Sequence, residues 1–255
     1  MKMRSQVEAL EALTRSWPRI VEECRDVLGS ELHYQAVIYH CLRSVGEDPP
    51  EQLGMNVKIW ITDVVSELFK KLDLRKPEGF RGGFEPIPDL VIFRSEIDGD
   101  FRRRNRENTL RHMILAAEIK ASERFQSRLQ AGEIVKDILK LDALRVEARA
   151  READFIPVVI IVDTAPDKVE RMRDEALREA KDMASSRGVC CLPFAGRRVL
   201  RCSKGDLTFE TRSATGLPEI LTKMLQGLPA AAQLTVGMAG VEALHGAYGS
   251  YAFEG

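Results

Sequence analysis

Cysteine is scarce and scattered: the 255 residues hold five, Cys24, Cys41, Cys190, Cys191 and Cys202, with no Cys-x-x-Cys pair. An odd set without that spacing argues against a disulfide framework, and four unclustered histidines argue against a zinc site. Long apolar runs are also lacking, because the longest, residues 155–162, is far too short to cross a bilayer. The opening MKMRSQVEALEALTRSW carries charge where a secretory signal needs an apolar core, so a cytoplasmic protein with no membrane partner is expected. Neither charge sign dominates. With 38 Lys+Arg against 39 Asp+Glu, the net charge of −1 supplies no global field for nucleic acid or anionic lipid, although a local basic patch is compatible with it. There is no Gly-x-Ser-x-Gly elbow for a serine nucleophile and no internal repeat.

What is present is a globular pattern of alternating helix and strand signals, long enough for one main domain. Leu10, Leu13, Trp17, Val21, Cys24 and Leu28 recur at helical steps, with Pro18 able to restart the helix, so residues 1–29 read as a helical extension. Ser30 can cap a second helix over ELHYQAVIYHCLR, whose first turn carries Glu31 and Gln35 four apart on one face. NVKIWITDVV alternates Val57, Ile59 and Ile61 with polar positions and predicts a strand, followed by a short helix over SELFKKLDL. DLVIF and MILAAEIKA read as two buried strands of a hairpin, joined by a long polar loop with a turn signal at Asp98.

From Ser127 to Arg149, Ile134, Ile138, Leu141 and Leu144 predict a helix with Glu133, Lys136, Asp137 and Lys140 on its opposite, polar side. FIPVVIIVD is apolar on both faces and predicts a buried parallel strand. A helix from Pro166 to about Arg187, a strand VCCLPF and a closing hairpin around Lys204-Gly205 complete a main domain over 30–228, followed by a mobile Ala/Gly-rich tail, 229–255.

Chemistry concentrates on the DLVIF and MILAAEIKA strands. Asp89 follows Pro88 at the start of one, and Glu118-Ile119-Lys120 ends the other, with Glu118 and Lys120 on one face by alternation. In an antiparallel pair, Asp89 can meet Glu118. Two carboxylates converging on an apolar sheet are costly unless a cation joins them, and oxygen ligands of this kind suit Mg²⁺ or Mn²⁺. Pro166-Asp167 with Glu179-Ala180-Lys181 repeats the spacing in a polar helical stretch, where the same residues would be solvated.

Helix, strand with Pro-Asp, strand with Glu-x-Lys, helix and strand resembles the PD-(D/E)XK, or restriction-endonuclease-like, nuclease superfamily, over roughly Ser30 to Asp163. The resemblance implies an α/β core of one helix, three antiparallel strands, a helix and a parallel strand. It implies further that Asp89 and Glu118 hold a divalent metal, with the backbone carbonyl of Ile119 and Glu31 as further ligands and Gln35 beside them. Lys120 would assist the water nucleophile. The expected function is a Mg²⁺- or Mn²⁺-dependent DNA endonuclease, as a homodimer or a defence-complex subunit, with restriction or phage defence as the favoured context and DNA repair and mobile-element processing as open ones. The alternative is a catalytically inactive DNA-binding or assembly subunit with the same fold.

Each residue also has a plainer use. Asp89 after a proline forms turns, Glu118 and Lys120 suit an exposed cross-strand ion pair, and an acid such as Glu31 in a first helical turn favours the macrodipole. The basic run Arg102, Arg103, Arg104 and Arg106 fits a phosphate-gripping arm beside the site or a solvated loop. Lys136 and Lys140, one turn apart, fit a track for a DNA backbone or an ordinary surface helix.

Overall fold

Ser5 accepts the Glu8 N–H through its hydroxyl and starts α1 (Gln6–Asp26), which runs unbroken through Pro18. The computed structural model describes residues 5–196, 201–203 and 206–208. α1 buries Leu10, Leu13, Trp17, Ile20 and Val21 and packs on α2 (Glu31–Ser44). Five strands form one mixed sheet in the order β1 (Leu53–Met55), β2 (Leu90–Phe93), β3 (Met113–Ala121), β4 (Ile156–Asp163) and β5 (Cys190–Ala195). The first three are antiparallel to their neighbours, whereas β3–β4 and β4–β5 are parallel. The parallel pairs are joined by α5 (Ala131–Arg149) and α6 (Asp174–Ser186).

The sheet is covered on both faces. Trp17 of α1 meets Phe194 of β5 edge-on at 5.6 Å, while Val91, Phe93, Ala116, Val159 and Cys191 point the other way, into a core shared with α5, α6 and Phe69 of α3 (Glu67–Leu74). With both faces apolar, every residue of β4 is buried, as a parallel central strand requires.

Three expectations are corrected. The alternation of Val57, Ile59 and Ile61 is real in burial, yet the regular strand lies earlier, at Leu53–Met55. Residues 56–61 pair only intermittently with 84–89 (Ile59 N to Pro86 O, 3.1 Å; Ile61 N to Phe84 O, 2.8 Å), because Pro86, whose carbonyl faces Ile59, has no N–H to complete the ladder. The polar connection 94–112 contains α4 (Arg106–Arg111) and two 3-10 turns, held by buried Ile97 and Leu110 and by Phe101 stacked on Phe93. α6 begins at Asp174 rather than near Pro166. The Asp167 carboxylate accepts the Val169 N–H and that of Asp163 accepts the Met172 N–H, an alternative to helical bonding.

Beyond the main sheet, β6 (Arg201–Ser203) pairs antiparallel with β7 (Asp206–Thr208), as a closing hairpin requires. The turn residues Lys204 and Gly205, the boundary at 228 and the tail lie outside the described residues.

Candidate active site

Strand register assembles the site. Leu90 pairs with Ala117, so one step along the ladder sets Asp89 opposite Glu118. The Ile119 N–H donates to Asp89 Oδ2 at 2.6 Å, whereas the Ser122 N–H three residues later faces β4 through Val162 O. Alternation therefore turns the Ile119 carbonyl toward β2, where its ladder neighbour is Pro88. Proline has no N–H to give it. Pro88 thus leaves a main-chain oxygen undonated by its partner strand beside two carboxylates.

The first turns of α2 close the site from the other side. Gln35, buried, donates from Nε2 to Asp89 Oδ1 at 2.5 Å and accepts the Asn56 amide at 3.1 Å, which fixes which end of the amide faces the acid. Glu31 Oε2 lies 3.0 Å from Lys120 Nζ. Across the sheet face, Asp137 of α5 also meets Lys120 Nζ at 3.0 Å and takes Lys140 Nζ on its other oxygen at 2.5 Å. The result is a chain of alternating charge, Glu31, Lys120, Asp137, Lys140, running past the Asp89 and Glu118 pair.

Burial dominates the titration of that pair. Burial pushes Asp89 up to about 6, against the pull of the Ile119 N–H and Lys120 and with Glu31 and Asp137 raising it further. Glu118 is 7% exposed and is raised well above the ordinary carboxylate range by burial, then by Asp89 and Asp137, with Lys140 and Lys120 opposing. Among the described residues no hydrogen bond reaches the Glu118 carboxylate. Burial works against the charge of Lys120, but Asp137 and Glu31 outweigh it and hold its pKa above that of a free lysine. Lys120 is therefore an ammonium at neutral pH, a hydrogen-bond donor and a positive charge, and not a general base.

No family model, curated protein or solved structure matches this chain. The site must be read from its own chemistry.

Asp89, Glu118, Lys120, Glu31, Gln35 and Ile119 come together. Glu31 is spent on Lys120 rather than on the two strand acids. The assignment of Asp137 to an outward polar face is overturned, because Asp137 is 2% exposed; Lys140 stays partly exposed while its Nζ reaches the Asp137 carboxylate. Lys136 alone of that set is exposed and unpaired among the described residues. The arginine arm is partly neutralised. Arg102 makes two 2.6 Å bonds to Asp100, and Arg103 pairs with Glu85 while stacking 4.7 Å from the Trp60 ring. Arg104 and Arg106 stay exposed.

Among the described residues no three His, Cys, Asp or Glu side chains stand as a group that could grip a metal ion. The donor set nevertheless fits a hard divalent cation. Asp89, Glu118, Asp137 and Glu31 face only Lys120 and Lys140, so four carboxylates meet two ammonium groups and the full ionised set lacks two positive charges. All the candidate ligand atoms are oxygens, the choice of Mg²⁺ and Mn²⁺.

Proposed function

We propose that this chain is a divalent-metal-dependent nuclease that hydrolyses phosphodiester bonds in DNA, built on the restriction-endonuclease-like plan. The observation that carries the reading is the buried Glu118 carboxylate, without a hydrogen bond, opposite Asp89 and two residues from a lysine held cationic. The element order supports it: helix α2, antiparallel β1, β2 and β3, helix α5 and parallel β4 follow the plan to which the motifs pointed.

In this reading Asp89, Glu118 and the Ile119 carbonyl hold Mg²⁺ or Mn²⁺, which when bound supplies Lewis acidity and a more acidic water. Gln35 holds one oxygen of Asp89 in place and the Ile119 N–H holds the other. Lys120 donates to the attacking water or to a non-bridging phosphate oxygen and offsets charge that grows in the transition state, a contribution of about 10²–10³ in rate. Asp137 acts as a positioning residue: it keeps Lys120 charged and ties it to α5. Cutting both strands would suit a homodimer, and defence against foreign DNA is the context the resemblance implies.

A second reading has its own observation. Lys120 lies between Glu31 and Asp137, and in that arrangement the fold serves as a DNA-binding or assembly subunit without catalysis.

The test is incubation with supercoiled plasmid, linear duplex and single-stranded circles in Mg²⁺, Mn²⁺ or EDTA, beside Lys120→Ala. Metal-dependent cutting by the native chain, reduced at least about 100-fold in the variant, is the expected result. DNA binding without cutting under any metal would select the subunit reading.

A further inference from the structure

The loop that follows the site strand is tied down on both sides and displays an aromatic ring. Glu123 accepts the N–H of Glu31, at the start of α2, at 2.7 Å. The Gln126 N–H donates to Glu170 Oε1, also at 2.7 Å, and Arg128 reaches the carbonyl of Arg171. Arg124 lies along Glu133 in two bonds of 3.1 and 2.8 Å. Between these ties Gln126 holds a left-handed backbone at φ 55°, a conformation that a non-glycine residue adopts at a cost of about 1 kcal/mol or more. Beside it stands Phe125, 84% exposed.

A large apolar side chain on an immobilised, strained loop is expensive in water and gains nothing for the core. Its placement gives it a use. Phe125 is five residues beyond Lys120, so at extended-chain dimensions it lies within about 17 Å of that residue, the span of roughly five base steps. Two further exposed apolar residues adjoin the same ties: Leu32 follows Glu31, and Val169 precedes Glu170. Long-range charge is weak, because the chain is near neutral and Arg102 and Arg103 are already paired. Arg104, Arg106 and Lys136 remain exposed for phosphate contacts, and stacking of a base on an aromatic ring adds a contact of a kind that phosphate neutralisation does not supply.

We propose that Phe125 stacks on an unpaired nucleobase flanking the phosphodiester at Lys120, which makes single-stranded or locally unpaired DNA the preferred substrate. This rests on the nuclease reading for the identity of the ligand. In the duplex each base face is covered by its neighbours, so the ring finds a partner only where strands are open. The rigid loop lowers the ordering cost of the contact.

The experiment reads binding separately from cutting. Labelled single-stranded and duplex oligonucleotides of one sequence are titrated with native protein, Phe125→Ala and Phe125→Trp, with Ca²⁺ in place of Mg²⁺. Tighter binding of the single strand is expected, weakened about 5- to 100-fold in Phe125→Ala with duplex binding unchanged, and the introduced indole should be quenched as the single strand binds. Equal single-strand affinity in native protein and Phe125→Ala, an unquenched indole, or no single-strand binding at all would overturn the proposal. Binding with quenching but no cutting in Mg²⁺ would retain the stacking contact and reject the nuclease. Cutting unaffected by Phe125→Ala would do the reverse.

Discussion

Glu118→Gln should stabilise the metal-free protein while removing the proposed nuclease activity. The native carboxylate is buried beside Asp89 and Asp137 and, among the described residues, accepts no hydrogen bond, so the neutral amide loses no hydrogen bond and relieves like-charge repulsion. The sign of the pH dependence follows from raised folded-state values. A carboxyl whose folded pKa lies above its unfolded one favours folding at low pH, and that contribution is lost as pH rises through the folded value. Asp89, at about 6, loses its share through the range below neutrality, and Glu118 continues the loss above its ordinary range. Metal-free native protein should therefore weaken steadily from about pH 4 upward, while Glu118→Gln declines less. At the alkaline end, where the native carboxylate is ionised, the variant should be more stable by about 1–3 kcal/mol, or about 3–10 °C in melting temperature for a chain of this size. Thermal unfolding in EDTA across pH 5–9 measures this. A variant less stable than the native chain at every pH would show Glu118 to be a structural acid.

Removing Lys120 has the opposite sign for stability. Lys120→Met leaves Asp137, nearly inaccessible to solvent, with Lys140 as its one remaining cation, and frees Glu31 to water. Breaking a buried charge pair from one side costs about 3–5 kcal/mol, and retention of Lys140 reduces this to about 2–3. The double variant Lys120→Met with Asp137→Asn should recover most of that loss, because the stranded charge goes with its partner. It should recover none of the cleavage, which falls about 10²–10⁴-fold in both. Urea unfolding and single-turnover cleavage of the same preparations separate the two effects. Recovery of cutting in the double variant would remove Lys120 from the chemistry.

Alternation made the central pair legible. DLVIF and MILAAEIKA are compact apolar runs, and period-2 spacing puts Glu118 and Lys120 on one face whatever the tertiary context. Asp137 was hidden by its chemistry, since an acid on a helix reads as solvent-facing. Its position gave a contrary signal: Asp137 is three residues after Ile134 and four before Leu141, inside the stripe that packs on the sheet. Glu147, three after Leu144, is buried in the same stripe, where it accepts the Val65 and Ser66 N–H groups and pairs with Arg151. An acid within an apolar stripe points to a cationic partner reaching in to it, here Lys120 for one and Arg151 for the other.

The misplaced first strand had a local cause of another kind. Burial follows side-chain alternation, but a ladder needs donors on both strands, and the partner segment puts Pro86 where a donor to 56–61 is needed. Pro88 in turn leaves the Ile119 carbonyl without a donor from β2. Pairing of Arg102 with Asp100 is local, two residues apart, whereas pairing of Arg103 with Glu85 could not be read from charge runs, because that partner is 18 residues away and is brought near by folding.

The most direct test of the claim that this acid pair is a cation site is calorimetric titration of the protein with Mn²⁺ at pH 6.5, in two buffers of different ionisation enthalpy. The account predicts binding accompanied by proton release, because ligation displaces protons from carboxyls with raised pKa values, and it predicts that Glu118→Gln abolishes both. Binding of equal strength in Glu118→Gln, or no binding by the native chain, would contradict it.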